Sequence, residues 1–248
     1  MDYTVGIVVD SHYLAHLRWT SKTWRRFRAE MFNRPWVVAH DFAMSNAELD
    51  ELASICPRGA KYKSWPPPAV SYETQREKML SSWLFCIPQM VETPHWMKID
   101  ADAFAEREEE KWEFENWLVG GEVACAPAWS YTAPAEYITI LQEWGDRHPV
   151  IGNHKRLPLE VVPGHKVCKG KRFCSWVSLY DTAWSREVAG YCEELKAPVP
   201  SEDSTKWYVA ERTGKRWTHY PAKQMGFSNI RNKHRIEARV REILQITD

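Results

Sequence analysis

The sequence predicts an α/β protein in which a mostly parallel central sheet is flanked by helices. Short apolar runs typical of buried strands occur at 4–9, 36–39 and 96–99, and helical patterns separate them. Strands that alternate with helices in this way form βαβ units, whose strands pair in parallel. At 248 residues with 44% hydrophobic content, the chain can bury a core of its own, which favours a folded globular protein.

The elements of the first half follow from local signals. Runs of β-branched residues predict strands, apolar residues three and four apart predict helices, and Pro or Gly marks the ends. Ser21 can cap the first helix. In order, we expect a strand at 4–9, a helix at 21–32, a strand at 36–39, a helix at 46–55, an edge strand at 60–65, a helix at 71–87 and a strand at 96–99.

The second half is more irregular, because Pro and Gly interrupt short runs beyond Gly145. No internal repeat or linker marks a second domain, so 1–248 is predicted to form a single domain. The expected elements are a helix at 106–117, a strand at 122–127, a helix at 135–144, a strand at 173–179, a helix at 181–195, a helix through 207–211 and a charged terminal helix at 232–245.

Charge is balanced overall but unevenly distributed. The formal net charge is zero, which argues against a protein that coats nucleic acid. Between 101 and 122, however, eight acids accompany two bases, and from 205 onward ten bases accompany four acids. An acidic middle and a basic end indicate that one face of the molecule could meet an anionic partner.

Three observations bear on the compartment. The six cysteines form no Cys-x-x-Cys pair, the N-terminus shows no signal peptide, and no apolar run is long enough to span a bilayer. We therefore expect a cytoplasmic protein with reduced thiols and no membrane span.

The end of the strand at 96–99 carries the most informative motif, Asp100-Ala101-Asp102. In an extended backbone, side chains at i and i+2 point to the same side, so both carboxylates could face one hard cation. Two carboxylates cannot complete the shell of Mg²⁺ or Mn²⁺, which leaves positions open for phosphate oxygens. Ligands of α/β sheets bind at the carboxyl ends of such strands, so the motif predicts a site that holds a departing diphosphate.

Taken in order, four stretches of the sequence resemble glycosyltransferases of the GT-A fold, similar to the inverting family-two-like enzymes. The resemblance covers about residues 4–211, and its third stretch is the closest match. It departs from the family at the second stretch, which lacks an Asp-Gly-Ser character, and at the basic C-terminal end. The four stretches are 4–9 followed by Asp10, 37–41 with Ser45, Arg76 and Lys78 leading into Asp100 and Asp102, and 201–203 (Ser-Glu-Asp) before a helix.

The resemblance implies a metal-dependent transfer of sugar from a nucleotide-diphosphate sugar, most simply a UDP-sugar, to an acceptor hydroxyl. It divides the single domain into a donor-binding part at about 1–127 and an acceptor-binding part at about 128–248. The Mn²⁺ or Mg²⁺ ligands that it implies are Asp102, Asp100 and His219, and the donor-binding residues are Val9, Asp10, Asp41, Arg76, Lys78 and Asp100.

For inversion, a carboxylate must take the proton of the acceptor hydroxyl as it attacks the anomeric carbon. By resemblance this base is Asp203, with Glu202 as the alternative. Both acids also suit the first turn of a helix, where carboxylates interact well with the helix dipole.

The acceptor and the reaction class stay open at this point. A neutral glycan, a small molecule, or DNA with a hydroxylated base, as in phage DNA-modifying glycosyltransferases, would each fit. The late bases, together with Lys155, Arg156 and four bases in 166–172, would suit DNA phosphates. A nucleotidyltransferase is disfavoured because no glycine follows the first strand. A sugar-binding module on the same fold is the non-enzymatic alternative.

Overall fold

The computed structural model describes most of the chain. The residues that it describes are 1–65, 79–108, 118, 120–129, 133–157, 160–162, 165–168, 172–173, 176–194, 201–220, 226–230 and 232–246.

Thirteen strands occur in the described part of the chain. They are β1 (Tyr3–Val9), β2 (Trp36–Asp41), β3 (Lys61–Trp65), β4 (His95–Ile99), β5 (Phe104–Ala105), β6 (Ala124–Trp129), β7 (Ala133–Pro134), β8 (Glu160–Val162), β9 (His165–Cys168), β10 (Arg172–Phe173), β11 (Val177–Asp181), β12 (Trp217–Tyr220) and β13 (Phe227–Ser228).

The helices of the described part alternate with these strands. They are α1 (Ser11–Phe27), α2 (Asn46–Ile55), a π-helical turn (Ser82–Cys86) that leads into α3 (Ile87–Met90), α4 (Ala135–Arg147), α5 (Thr182–Glu194), α6 (Glu202–Arg212) and α7 (Ile236–Leu244). None of them is both long and apolar enough to cross a bilayer.

Eight strands form the central sheet, in the order β10-β6-β11-β4-β1-β2-β3, with β12 paired to β6. β1 lies between β2 and β4 and is parallel to both, and β3 is parallel to β2. β11 runs antiparallel to its neighbours β4 and β6, while β12 is parallel to β6. The predicted α/β class with a mostly parallel sheet is therefore confirmed.

Helices pack on both faces of this sheet. On β4, Trp96 belongs to one buried cluster, whereas Met97 and Ile99 belong to another, as the alternation of side chains along a strand requires. The Trp96 cluster takes its helical side chains from the π-helical turn and from α3, α4, α5 and α6. The Met97 cluster takes them from α1 and α2. Lys98 alternates with Met97 and so lies on the Trp96 face, among apolar side chains.

The predicted start of the first helix is wrong. The helix begins ten residues earlier than expected, because the Asp10 carboxylate accepts a hydrogen bond from the backbone N–H of Tyr13 (2.7 Å) and caps it there. Ser21 is buried inside the helix. The helix ends at Phe27, where Arg28 leaves helical geometry, and 29–33 form a short 3₁₀ helix.

Most other elements lie within a few residues of expectation where the structure describes them. The strand expected at 173–179 is an exception, because Phe173 ends β10 while β11 runs from Val177 to Asp181, and each pairs separately with β6. Helix α2 has the predicted bounds, set by a capping box between Ser45 and Glu48. The predicted helix at 106–117 does not begin at Glu106, since 106–108 are not helical, and 109–117 lie outside the described residues. The first part of the helix expected at 71–87, up to residue 78, also lies outside them. The division into donor and acceptor parts stays a prediction.

Gly6 in β1 offers a test of how closely the sheet packs against α3. A methyl group there would lie 2.8 Å from Cγ2 of Ile87 and 3.2 Å from Cε3 of Trp96. We expect Gly6→Ala to lower the free energy of unfolding by about 1–3 kcal/mol, because the crowded neighbours must move. Gly190→Ala in α5 is the control, since its methyl would meet no atom within 4 Å. That change should raise stability by about 0.5–1 kcal/mol in urea denaturation. Equal effects of the two substitutions would contradict the close packing.

Candidate active site

The backbone at the end of β4 turns immediately after the strand. The N–H of Asp100 donates to the carbonyl of Trp176 (2.7 Å), and the N–H of Ala103 donates back to the carbonyl of Asp100 (2.9 Å). Thr20 of α1 donates its hydroxyl to the carbonyl of Ala101 (2.7 Å) and so fixes the turn from the helix side. The extended geometry expected for Asp100 and Asp102 therefore does not hold, and the two carboxylates meet different neighbours.

Asp100 lies at one end of a chain of four ionisable groups. Its Oδ1 is 3.1 Å from Nζ of Lys98, and the same ammonium is 3.2 Å from Oε2 of Glu202. The other oxygen of Glu202 is 3.3 Å from Nζ of Lys206. Asp100 keeps 28% of its side chain exposed, whereas the other three side chains keep 5% or less. Charges alternate along the chain, so each buried group has an opposite charge beside it.

Aromatic rings surround the two lysines. Nζ of Lys98 lies 4.8 Å from the ring centre of Trp83, and Nζ of Lys206 lies 4.0 Å from Tyr180 and 4.6 Å from Trp96. Such rings attract cations through their negative faces, an effect that strengthens where water is excluded. The rings therefore help to hold the two ammonium groups inside the protein.

Burial and neighbouring charge shift the pKa values in this chain. Burial raises the pKa of Asp100 to about 7, and Asp102 and Glu202 add to the rise while Lys98 opposes it. Burial alone would lower the pKa of Lys98, but Asp100 and Glu202 reverse this and raise it above the ordinary value. Burial lowers the pKa of Lys206 to about 8, against the opposing effect of Glu202. Neighbouring carboxylates therefore outweigh the cost of burying the charge at Lys98 but not at Lys206.

Asp102 meets the C-terminal segment, by which we mean residues 226–246. Its Oδ1 accepts a hydrogen bond from the side-chain amide of Asn229 (2.8 Å), and its Oδ2 lies 2.5 Å from Nζ of Lys233. Pairing of β13 with β5 brings this segment alongside the turn. Asp102 is 3% exposed as a result.

Tyr13 on the first turn of α1 lies within the electrostatic reach of three acids. Burial raises the pKa of its phenol to about 12, and Asp102, Asp100 and Asp10 add to the rise. The carboxyl ends of β1 and β4 and the start of α1 therefore converge on one acidic site.

The predicted donor-binding residues at the first two strands lie at this edge of the sheet. Val9 is fully buried in the core, and its role in donor binding stays a prediction. Asp10 caps α1, and Oδ1 of Asp41 accepts from the N–H of Ala43 (3.0 Å) in the turn after β2. Arg76 and Lys78 lie outside the described residues, so their role stays a prediction.

The residues predicted for catalysis lie at the start of α6. Ser201 caps the helix, and its hydroxyl donates to Oδ1 of Asp203 (3.0 Å). Glu202 is enclosed by the two lysines, so in this conformation it cannot meet an acceptor hydroxyl. His219 lies on β12, which β6 and β11 separate from β4, and the structure describes only its backbone. Its role as a metal ligand stays a prediction.

Three lysines and one asparagine also contact the acidic residues of the site, and the sequence analysis did not predict them. Lys98 could have been predicted from its position, because a lysine in a buried strand needs an acidic partner and Asp100 lies two positions later. Lys206, Asn229 and Lys233 could not, because their contacts with Glu202 and Asp102 depend on the folded topology.

Several of the late bases are paired inside the molecule. Arg216 contacts Glu122 (3.0 Å), Lys233 contacts Asp102, and Arg239 contacts Glu106 (3.3 Å). The basic end thus neutralises part of the acidic middle, and the charge left for an anionic partner is smaller than the sequence suggests.

The prediction that Asp100 and Asp102 hold a divalent cation together stays a prediction, since the turn gives the two carboxylates different partners. In the described ranges, no cluster of three or more His, Cys, Asp or Glu side chains is arranged to hold a metal ion. Asp102 already pairs with a positive charge, the ammonium of Lys233. Mg²⁺ and Mn²⁺ also bind carboxylate oxygens. The residues therefore fit such a cation, provided that Lys233 gives way.

Two substitutions test which charges in the buried row Asp100, Lys98, Glu202 and Lys206 depend on which partners for their stability. Glu202→Gln removes the carboxylate beside Lys206, and we expect it to cost about 3–5 kcal/mol in urea denaturation, as for other broken buried pairs. Lys206→Met should cost less, because Glu202 keeps Lys98. The double variant should recover much of the loss, since Lys98 retains Asp100. If the double variant is no more stable than Glu202→Gln, the unpaired ammonium of Lys206 is not the cause of the loss in stability.

The lowered pKa of Lys206 also predicts a pH dependence. Between about pH 8 and the ordinary value of 10.5, the unfolded chain holds a proton that folded Lys206 has released. The contribution of Lys206 to the free energy of unfolding should therefore rise with pH in this window. The difference in stability between the unmodified protein and Lys206→Met, measured from pH 7.5 to 10, should grow in favour of the unmodified protein. A pH-independent difference would contradict the shift.

Comparison with known proteins gives a clear result at the level of structure. No family model matches the sequence, and no curated protein matches it. Core-mannan synthase A from Aspergillus fumigatus, in its Mn/GDP form, superposes with a TM-score of 0.53 at 12% identity, over 91% of this chain and 69% of that protein. The mannosyltransferase Ktr4p from S. cerevisiae with GDP gives 0.57 at 12%, over 91% and 66%.

The galactosyltransferase LgtC, in complex with donor and acceptor sugar analogues, gives a TM-score of 0.50 at 13% identity, over 89% of this chain and 74% of that protein. Each of these proteins is longer than the chain described here. All three are glycosyltransferases of the GT-A type. With its mostly parallel sheet between two helical layers, this chain has the GT-A fold.

Proposed function

We propose that this protein is a glycosyltransferase that moves a sugar from a nucleoside-diphosphate donor to an acceptor hydroxyl. The observation that carries the proposal is the pair Asp100 and Asp102 directly after β4, in a GT-A fold, with Lys98 and Lys233 beside them. Carboxylates and ammonium groups together suit a site that must hold a diphosphate and its counter-charge.

The donor is expected at the edge of the sheet where β1, β2 and β4 end, the usual position of ligands in such sheets. Tyr13 and the exposed His12 at the start of α1 offer aromatic surface beside the acids. Asp10 and Asp41 are proposed to face the nucleotide, with Val9 beside them at the end of β1. Arg76 and Lys78 are proposed as phosphate contacts, because Arg and Lys are the side chains that pair with phosphate.

Asp100 and Asp102 are proposed to hold Mn²⁺ or Mg²⁺, with His219 as a third ligand. The solved structure of core-mannan synthase A contains Mn and GDP, which supports a cation and a nucleotide donor here. Such an ion, when bound, supplies Lewis acidity that offsets charge on the departing diphosphate. We retain a UDP-sugar as the proposed donor, although the related structures named above include GDP.

Asp203 is proposed as the base for an inverting transfer. Glu202 has both oxygens engaged by lysines and 1% of its side chain exposed, so it serves better as an anchor for the start of α6. Asp203 is partly exposed on the same turn and is oriented by the hydroxyl of Ser201. A carboxylate at that position can take a proton from a hydroxyl bound beside the donor.

The acceptor is proposed to be a glycan or small molecule rather than DNA bearing a hydroxylated base. DNA binding requires clustered bases that are available to phosphates. Arg216, Lys233 and Arg239 are instead paired with acids of the same chain, and Arg156 contacts Asp146.

A panel of nucleotide sugars tests the proposal. With Mn²⁺ present, we expect slow hydrolysis of at least one UDP- or GDP-sugar, released nucleotide being measured by chromatography. Asp102→Asn should reduce this by 100-fold or more, as expected for loss of a group that helps to stabilise the departing charge, on the order of 3 kcal/mol. Hydrolysis of no donor, or an unaffected Asp102→Asn variant, would contradict the proposal.

Asp203→Asn tests the assignment of the base. The substitution removes the proton acceptor but leaves the donor site, so transfer to an acceptor should fall by about 100-fold or more while the affinity for the nucleotide is nearly unchanged. Ser201→Ala is the matched control for the geometry of the helix start, since it removes a cap and not the carboxylate. Near-normal turnover of Asp203→Asn would show that another group accepts the proton.

A further inference from the structure

We propose that Lys233 is a movable internal cation, which neutralises Asp102 until a divalent cation binds there and then pairs with the diphosphate of the donor. This inference rests on the proposed function, because it assumes that a nucleoside diphosphate binds beside Asp102. It assigns a role in donor binding to a residue that lies outside the four stretches on which the resemblance is based.

The contacts of Lys233 form a closed set of three side chains. Its ammonium lies 2.5 Å from Oδ2 of Asp102 and also donates to Oδ1 of Asn229, whose amide in turn donates to the other oxygen of Asp102 (2.8 Å). Asp102 keeps 5% of its side chain exposed, so without a cation beside it the carboxylate would be a buried unpaired charge. Lys233 supplies that cation.

Lys233 differs from Lys98 in its freedom to move. Lys98 keeps 5% of its side chain exposed, and its ammonium is held by two carboxylates and lies 4.8 Å from the ring centre of Trp83. Lys233 keeps 30% exposed and reaches Asp102 from a short 3₁₀ helix in the C-terminal segment. Lysine carries its charge on a flexible stem of four carbons, so the ammonium can change partners without a change in the backbone.

Binding of a divalent cation reverses the electrostatics around Lys233. Two positive charges that share one carboxylate repel each other at short range, and the buried location weakens screening by water. The diphosphate that binds to the cation brings negative charge to the same place. The ammonium of Lys233 then has a new partner within the reach of its side chain, and charge-assisted contacts of this kind are the strong ones.

Lys233→Met separates this role from a structural one, because the two binding steps should change in opposite directions. Mn²⁺ binding without nucleotide, measured by isothermal titration calorimetry, should tighten about tenfold, since no ammonium competes for Asp102. At saturating Mn²⁺, binding of UDP and GDP should weaken about tenfold, since one charge-assisted contact is lost. Lys215→Met is the control, because Lys215 is 43% exposed and pairs with Glu187, outside this set of contacts. It should change neither value.

The outcomes are distinguishable. If Lys233→Met weakens both binding steps or changes neither, the inference is overturned. Lys233→Gln, which keeps a polar group beside Asp102, gives a second variant should the methionine variant fail to fold, and the same opposite changes are expected. If Mn²⁺ binds to neither variant nor to the unmodified protein, the inference is overturned, and the nucleotide-sugar panel then decides the proposed function on its own.

Discussion

The pairing of Lys98 with Glu202 is the interaction on which the site depends. A charged side chain on the central strand of a sheet has no water to solvate it. It therefore needs an opposite charge nearby, here from the helices that cover that face of the sheet. Glu202 provides this charge from the first turn of α6. Their contact fixes the start of that helix above the end of β4, and it thereby sets the position of Asp203 relative to Asp100.

The same contact explains why the chain tolerates so much polar character inside one core cluster. Lys206 follows Glu202 by one helical turn and lies against Trp96 and Tyr180. The indole N–H of Trp96 donates to the hydroxyl of Ser185 on α5 (3.0 Å). Aromatic rings, a carboxylate and two ammonium groups thus connect the sheet to α5 and α6, and satisfied polar networks of this kind favour a single arrangement of the core.

The fold could be predicted from the sequence because its signals are local. The apolar runs of β1, β2 and β4 and the Ser45–Glu48 capping box each lie within a few residues. The start of α1 was missed although Leu14 and Leu17, which are buried, continue the apolar spacing towards the N-terminus. Asp10 caps that helix, and Asp is common both at helix caps and in ligand sites, so the residue type alone did not reveal the cap.

The site could be predicted only in part. The aspartates after β4 were found by their position, but the turn that separates them depends on Thr20 and Trp176, which are distant in the sequence. The partners of the aspartates are more distant still: Lys98 and Glu202 are 104 residues apart, and Asp102 and Asn229 are 127 apart. No periodicity or spacing within a stretch of chain reports such contacts.

These separations have a consequence for how the protein is made. Arg239 and Glu106 are 133 residues apart, and Asp102 cannot be covered until residues 229–233 have left the ribosome. Long-range contacts of this kind form late, since a large loop must close before they contribute. During synthesis, Asp102 therefore lacks its partners Asn229 and Lys233 while the strands of the central sheet are being made. Asn229 and Lys233, which complete the surroundings of Asp102, follow every described strand of the central sheet along the chain.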